Sequence, residues 1–208
     1  MVMKNLKDCG AEVEMFEEYL SLFRKIDECC KPGARVLLRV DINSPLNPST
    51  REIIDDYRLQ AHAETIKYLM EEKVKVVILS HQSRPGRDDF TSLDRHRSIL
   101  EKYVGHEIKF VDDVMGPAAR RMIRELEAGE ALLLDNVRFV SEEIIERKIE
   151  AQAETYLVRR LAPLFDYYVF DAFATAHRSQ PSIVGFPLLL PSCIGLVMER
   201  ELKALSRI

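Results

Sequence analysis

Short apolar runs alternate with longer segments of helical periodicity along this 208-residue chain. Strict alternation of strand and helix is typical of a doubly wound, mainly parallel sheet with helices on both faces. We therefore predict a Rossmann-like α/β fold in a single domain. The predicted strands are 35–40, 74–80, 107–111, 131–135 and 166–170. The predicted helices begin at residue 55 or 56, span 92–104, begin at Pro117, span 142–161, and begin at Ser192.

Composition excludes several classes of protein. A chain with 47% hydrophobic and 31% charged residues is typical of globular domains of this length. It has neither an apolar run of about 18 residues, as a membrane span requires, nor a signal peptide, so we predict a cytoplasmic location and no membrane partner. The net charge of −4 argues against a nucleic-acid partner, because nucleic-acid binding needs a basic face.

The cysteines and histidines do not have the spacing of metal ligands. Cys9, Cys29, Cys30 and Cys193 form no CxxC pair, and the five histidines form no HxH or HxxxH pair. We therefore expect no metal held by this chain alone. We also expect reduced, structural thiols, as is usual for cytosolic proteins.

Polar and basic residues follow the predicted strands at their carboxyl ends. Right-handed crossovers place these ends at one edge of the sheet, where open α/β sheets bind ligands. The guanidinium group of arginine matches carboxylate and phosphate oxygens, so several arginines at one edge predict a compact, multiply charged anion such as a phosphorylated acid. The candidates read from this pattern are Arg39, Asp41, Asn43, His81, Arg84, Asn136, Arg138, Asp171, Thr175, His177 and Arg178.

Local structure adds information on residues in three parts of the chain. Strand alternation predicts that Arg39, Asp41 and Asn43 share one face. Arg58 lies in the first turn of a predicted helix, where a cation opposes the helix dipole, and this makes it a site candidate rather than a solvated side chain. Asp112 and Asp113 could form a metal pair, but helix capping is the favoured interpretation. The chain has no GxxxxGK[ST] or GxGxxG motif, so we expect it to bind no nucleotide cofactor.

The order of the motifs resembles a known family. RVDINSP, DDYRLQAHAETIKYL, SHQSRP, FVDD, LLLDNVRF, FDAFATAHR, SIVGFP and PSCIGLVMERELKAL follow one another as in the N-terminal domain of phosphoglycerate kinase, over about residues 31–208. RVDINSP and SHQ are similar to archaeal members. The resemblance implies a glycolytic transferase that moves a phosphoryl group between 1,3-bisphosphoglycerate and ADP. It also implies that Mg-ATP or Mg-ADP binds to a C-terminal domain absent from this chain.

The resemblance implies a role for each candidate. Asp41 and Asn43 would bind the glycerate carboxylate and hydroxyl, and Arg58 would be catalytic by facing the acyl phosphate. His81, Arg84, Arg138 and Arg178 would bind the spectator phosphate. The supporting residues would be Arg39, Asp171, Thr175 and His177.

The resemblance also implies a domain division: a helical extension at 1–30, a phosphoglycerate-binding domain at 31–190, and the start of an interdomain helix at 191–208. Without the nucleotide domain, the chain alone is expected to be inactive. The alternative is a stand-alone module that binds phosphoglycerate or a similar anion without catalysis. Ser83 and Ala174 replace loop glycines of the family, which puts a positive φ at these positions in doubt.

Overall fold

The computed structural model describes residues 23–205. The spacing of Val13, Phe16, Leu20 and Phe23 predicts an amphipathic helix before the first predicted strand. That segment lies outside the described residues except for Phe23, which is in a bend. In the part of the chain that is described, no helix is both long and apolar enough to cross a membrane.

Within residues 23–205, the sheet has six parallel strands in the order β3-β4-β2-β1-β5-β6. The five predicted strands are present, with ends that differ by no more than one residue. The sixth strand, β6, was not predicted, because its three residues are too short to give a periodic signal. The strands are β1 (Arg35–Val40), β2 (Lys75–Leu79), β3 (Ile108–Val111), β4 (Ala131–Leu134), β5 (Tyr167–Asp171) and β6 (Ser192–Ile194).

The helices confirm the predicted alternation, with two corrections. Ser192 is the first residue of β6 rather than the cap of the last helix. The single helix expected at 142–161 is broken, because both Glu142 carboxylate oxygens accept backbone N–H groups from Tyr156 and Leu157, each at 3.0 Å, and so cap a new helix. The helices are α1 (Tyr57–Glu71), α2 (Asp94–Val104), α3 (Pro117–Glu125), α4 (Ile149–Ala153), α5 (Tyr156–Leu161) and α6 (Leu196–Leu205).

Two apolar cores cover the two faces of the sheet. Val36, Leu38 and Val40 of β1 pack with α1 and α2 on one face. Leu37 packs on the other face, with residues of α3 and α5. Strand alternation places the Arg39 side chain on the same face of the sheet as Leu37. This arginine therefore enters the apolar core on that face, one residue before the end of β1.

The segment before β1 is joined to β6 by a disulfide between Cys29 and Cys193, whose Cα atoms lie 6.5 Å apart. The expectation of reduced thiols was therefore wrong for this pair. A separation of 164 residues hides the pairing from the sequence, and β6 brings the two cysteines together. A disulfide does not by itself assign a compartment, since intracellular proteins of hyperthermophiles also contain them. Cytoplasmic location stays a prediction.

Neither proposed domain boundary is tested by the fold. Ile26 and Cys29 share the core of β1 with Cys193, so described residues on both sides of 31–190 pack with the sheet. The boundaries at 30 and 190 stay predictions.

Candidate functional site

The order of the strands brings the candidate residues together. β1 is central, with β2 on one side and β5 on the other, and β4 lies next to β2. The loops that follow these four parallel strands therefore emerge at one edge of the sheet. Nearly all the residues predicted from the strand ends belong to these four loops.

The loop after β1 is tied to helix α1. The Asp41 carboxylate forms an ion pair with Arg58 and accepts the Asn43 N–H at 3.2 Å. The Asp41 N–H donates to His62 Nε2 at 3.3 Å. The prediction that Asp41 and Arg39 share a face was wrong, because β1 ends at Val40 and Asp41 turns toward α1, on the opposite side of the sheet from Arg39.

Asn43 links the first two loops. Its side-chain oxygen accepts the Ser83 N–H at 2.7 Å, and the Ser83 carbonyl accepts a hydrogen bond from the Arg138 guanidinium. Ser83 has a φ of 56°, so this residue occupies the left-handed region where the family glycine would have been unstrained. Ala174 lies in a 3₁₀ turn, Phe173–Thr175, and does not have a positive φ.

Asn136 is a structural joint rather than a free ligand. Its side-chain oxygen accepts the N–H groups of Gln82 and Arg138, at 3.2 and 3.1 Å. Its side-chain nitrogen donates to the carbonyls of Gln82 and Thr91, each at 2.8 Å. All of its hydrogen-bonding capacity is used within the protein, so Asn136 fixes the backbone from which Arg138 projects.

Four buried side chains at this edge of the sheet form a hydrogen-bonded network, here called the floor: Arg39, His81, Glu143 and Ser182. Arg39 is fully buried and donates from Nε to Ser182 Oγ at 3.0 Å. A second guanidinium nitrogen lies 3.1 Å from His81 Nδ1. Ser182 in turn donates to both Glu143 oxygens, from Oγ at 2.5 Å and from its backbone N–H at 3.0 Å.

His81 is held in the neutral state. Burial is the main reason why the pKa of His81 lies well below its ordinary value, and the charges of Arg39, Arg138, Arg178 and Arg58 lower it further. The positive charges of four arginines thus act on one imidazole ring. Because a guanidinium group only donates, His81 Nδ1 must accept from Arg39, and the ring proton sits on Nε2.

Arg84, Arg138 and Arg178 line a single cleft of about 320 Å³, together with Pro85, Ile144, Glu146 and Gln180. Burial, followed by the repulsion of Arg178 and Arg39, lowers the pKa of Arg138 to about 10. Three guanidinium groups around one space form a concentrated positive field. An anion with several charged oxygens would relieve this repulsion.

The rim of the site is more exposed than the floor. We use the word rim for Arg58, Arg84 and Arg178. Arg58 and Asp41 line a second cleft of about 350 Å³, which Phe173, Ala174 and residues of α6 complete. The predicted site residues thus fall in two clefts at the same edge of the sheet rather than in one.

A larger cleft, of about 540 Å³, lies beyond the ends of β3 and β4. Its lining mixes Asp112 and Asp135 with Arg120 and Arg160, so it has no single sign of charge. Asp113 there accepts the N–H groups of Gly116 and Ala119, at 2.8 and 3.0 Å, and caps α3 as predicted. The smaller cleft differs in this respect, because its charged lining consists of three arginines and one glutamate.

The predicted supporting residues Asp171 and Thr175 form hydrogen bonds within the protein. Asp171 is fully buried and accepts hydrogen bonds from Thr65 Oγ1 at 2.7 Å, His62 Nδ1 at 3.3 Å and the Met198 N–H at 2.9 Å. It therefore joins β5 to α1 and α6. Thr175 Oγ1 donates to the Ala172 carbonyl at 2.9 Å, and His177 is exposed.

Sequence reasoning missed Gln82, Glu143 and Ser182. Gln82 accepts the Ser44 N–H at 3.0 Å and donates to the Ser44 carbonyl at 2.9 Å, which locks the loops after β1 and β2 together. The sequence signal for Gln82 is its place in the loop after β2, between the site candidates His81 and Arg84. Glu143 had none, because it was placed within a predicted helix where a glutamate is ordinary.

The family model for phosphoglycerate kinase matches residues 26–208. This chain belongs to the phosphoglycerate kinase family. The match extends over most of the chain and includes every candidate site residue named above.

Individual relatives agree with the family match. The phosphoglycerate kinase of Pyrobaculum aerophilum is 56% identical over 194 residues, which are 93% of this chain and 47% of that protein. The phosphoglycerate kinase of Sulfurisphaera tokodaii is 61% identical over 176 residues, 85% of this chain and 42% of that protein. The chain therefore spans about half the length of the curated relatives it matches.

Solved structures confirm the fold. The crystal structure of phosphoglycerate kinase from Pyrococcus horikoshii OT3 has a TM-score of 0.85 and 41% identity, covering 88% of this chain and 45% of that one. The phosphoglycerate kinase from Coxiella burnetii has a TM-score of 0.71 and 32% identity, covering 89% of this chain and 44% of that one.

Proposed function

We propose that this chain is the phosphoglycerate-binding part of a phosphoglycerate kinase. In this role it binds 3-phosphoglycerate or 1,3-bisphosphoglycerate for reversible phosphoryl transfer with ADP. The observation that carries the proposal is the cleft lined by Arg84, Arg138 and Arg178 in a chain of this family. These arginines, with the His81 Nε2–H, are assigned to the spectator phosphate.

Asp41, Asn43 and Arg58 are assigned to the rest of the ligand. In the free chain, the Arg58 guanidinium is paired with Asp41, yet its side chain is 46% exposed and can turn toward a ligand. A cation at this position would stabilise negative charge on a transferring acyl phosphate, which is the principal contribution a protein makes to phosphoryl transfer. Arg58 is therefore the proposed catalytic residue of this chain.

Mg-ATP and Mg-ADP are assigned to the remainder of a phosphoglycerate kinase, since the relatives are about twice as long as this chain. Phosphoryl transfer needs both reactants in one geometry, and that positioning contributes up to about 7–11 kcal/mol. The proposal therefore assigns no turnover to the chain by itself. A stand-alone, non-catalytic module is not favoured, because the family match supports a kinase.

Calorimetry with 3-phosphoglycerate tests the proposal. The chain should bind it, and Arg138→Ala should weaken binding about ten- to a hundredfold, because a charge-assisted contact contributes about 1.5–3 kcal/mol. Arg124→Ala is the matched control, since Arg124 is exposed on α3 and donates to the Arg120 carbonyl. Equal losses in the two variants, or no binding by the parent chain, would contradict the assignment of the cleft.

A further inference from the structure

Glu143 is the least expected member of the floor. It is fully buried, and burial raises the pKa of its carboxyl group, whereas the charge of Arg39 acts in the opposite direction. Both of its oxygens are hydrogen-bonded, and both donors belong to Ser182. A buried carboxylate with a saturated hydrogen-bond shell contributes to structure through the partner that it fixes.

Ser182 passes that constraint to Arg39. Its hydroxyl donates its proton to Glu143 Oε1 at 2.5 Å, so its lone pairs face Arg39 Nε at 3.0 Å. If the proton pointed elsewhere, the hydroxyl could not accept from Arg39 in the same way. Glu143 therefore sets the direction of the hydroxyl, and the hydroxyl sets the position of the guanidinium.

The chain of contacts ends at the imidazole. Arg39 donates to His81 Nδ1 at 3.1 Å, so the proton of the neutral ring lies on Nε2. A ring with the other tautomer would point two donors at each other. The Nε2–H is the group that the proposed function assigns to the phosphate.

Glu143 and Ser182 also join the two walls of the cleft. Glu143 belongs to a 3₁₀ turn, Ser141–Ile144, that follows Arg138. Ser182 belongs to a π-helical turn, Pro181–Gly185, that follows Arg178. The contact between them therefore fixes the spacing of two segments that each carry a cleft arginine.

We propose that Glu143 is a positioning residue of the phosphoglycerate site: through Ser182 and Arg39 it fixes the His81 tautomer and holds the two arginine-bearing walls together. The inference rests on the proposed function for its consequence in binding. Its structural part, the link from Glu143 to His81, does not depend on any ligand.

A pair of glutamate variants separates positioning from charge. Glu143→Gln removes the carboxylate and turns an amide N–H group toward a donor of Ser182, so 3-phosphoglycerate binding should weaken at least tenfold. Glu150→Gln is the matched control, because Glu150 is exposed on α4 and lines neither the arginine cleft nor the cleft at Arg58. This variant also removes one carboxylate, but it should bind 3-phosphoglycerate as tightly as the parent chain. If Glu143→Gln behaves like Glu150→Gln, the inference is wrong.

Ser182→Ala is the second variant, and it keeps the charge of Glu143. It should also weaken binding at least tenfold, and it decides the question if Glu143→Gln fails to fold. Parental affinity in a folded Ser182→Ala chain would overturn the inference.

Nitrogen-15 spectra of the histidine rings provide a readout without ligand. In the parent chain His81 should show a protonated Nε2 and a bare Nδ1, and both variants should show a mixture of tautomers. His96 is the internal control, because its Nε2 lies 3.0 Å from the Gln82 oxygen, away from Glu143. An unchanged His81 spectrum in both variants would refute the link even if the chain bound no phosphoglycerate. The absence of binding by the parent chain would instead contradict the proposed function alone.

Discussion

The floor and the rim of the site both contain arginine, but they differ in what holds the side chain. Arg39, in the floor, is completely buried, and protein atoms accept from three of its donor positions. Arg84, in the rim, is exposed. Arg58 has a single carboxylate partner and is half-exposed.

This difference separates two uses of positive charge. A buried guanidinium must be compensated within the protein, so its contacts contribute to folding. An exposed guanidinium in a cluster of like charges is costly until an anion arrives, so it contributes to binding. Arg138 lies between these extremes, because it is nearly buried, donates to Ser83, and still lines the cleft.

Replacing one buried and one exposed arginine tests this difference most directly. Arg39→Met removes the donor to Ser182 and His81 and the stronger of two cationic charges that act on buried Glu143. Removing one member of such a buried charged network costs about 3–5 kcal/mol in the free energy of unfolding. Arg84→Met should change stability by no more than about 0.5 kcal/mol, as exposed substitutions do. It should instead weaken 3-phosphoglycerate binding. Urea unfolding and calorimetry of both variants measure these effects. Similar unfolding midpoints would show that the floor arginine contributes no more to stability than the rim arginine.

The rim was predictable from sequence, and half of the floor was not. The cleft arginines were found because each follows an apolar strand, and parallel topology brings strand ends together whatever the details of packing. Glu143 and Ser182 act through contacts between segments 39 residues apart, and no periodicity encodes them. Arg39 was found, but its face was misassigned relative to Asp41, because alternation stops where the strand stops.

The disulfide provides a second contrast, between stability and the site. Cys29→Ser with Cys193→Ser should lower the free energy of unfolding by about 2–4 kcal/mol, because the cross-link closes a loop of 164 residues. Neither cysteine contacts the floor or lines the arginine cleft, so phosphoglycerate affinity should not change. Thermal melts with and without reductant measure the first effect, and Cys30→Ser is the control, since Cys30 is free. A change in affinity would mean that β6 and the cleft are coupled.

The pH dependence of stability tests whether the buried histidines stay uncharged in the folded chain. The pKa of His81 lies well below its ordinary value, and burial lowers the pKa of His96 to about 4. The unfolded chain therefore binds protons near pH 6.5 that the folded chain does not, so stability falls as the pH decreases below that value. His96 should cost about 1.4 kcal/mol between pH 7.5 and 5.5, and His81 acts in the same direction.

His96→Gln isolates one of these contributions. The variant should lose about 1.4 kcal/mol less than the parent chain over the same pH interval. The raised pKa of Glu143 acts in the opposite direction as the pH approaches the range of that carboxyl group. Urea unfolding at both pH values measures the difference, and an identical pH dependence in parent and variant would show that His96 titrates normally in the folded state.

The smallest expected effects concern the two positions where family glycines are replaced. Ser83 has a φ of 56°, whereas Ala174 lies in a 3₁₀ turn, so glycine should relieve strain at Ser83 only. Ala174→Gly should lower the free energy of unfolding by about 0.4–1 kcal/mol through the entropy of the unfolded chain.

Ser83→Gly should relieve about 1–2 kcal/mol of backbone strain. Two losses offset this gain: the greater entropy of the unfolded chain, and the hydrogen bond that the Ser83 hydroxyl donates to Asp89. The net change in the free energy of unfolding should therefore be near zero. Lys73→Gly is the control, because Lys73 has a φ of 61° and lies before the first residue of β2, whereas the loop that carries Ser83 and Arg84 follows the last. Its stability should rise by about 0.5–1 kcal/mol. Melting temperatures should therefore rank Lys73→Gly above Ser83→Gly and Ser83→Gly above Ala174→Gly, and the reverse order for the last two would show that the loop over the cleft is not strained at Ser83.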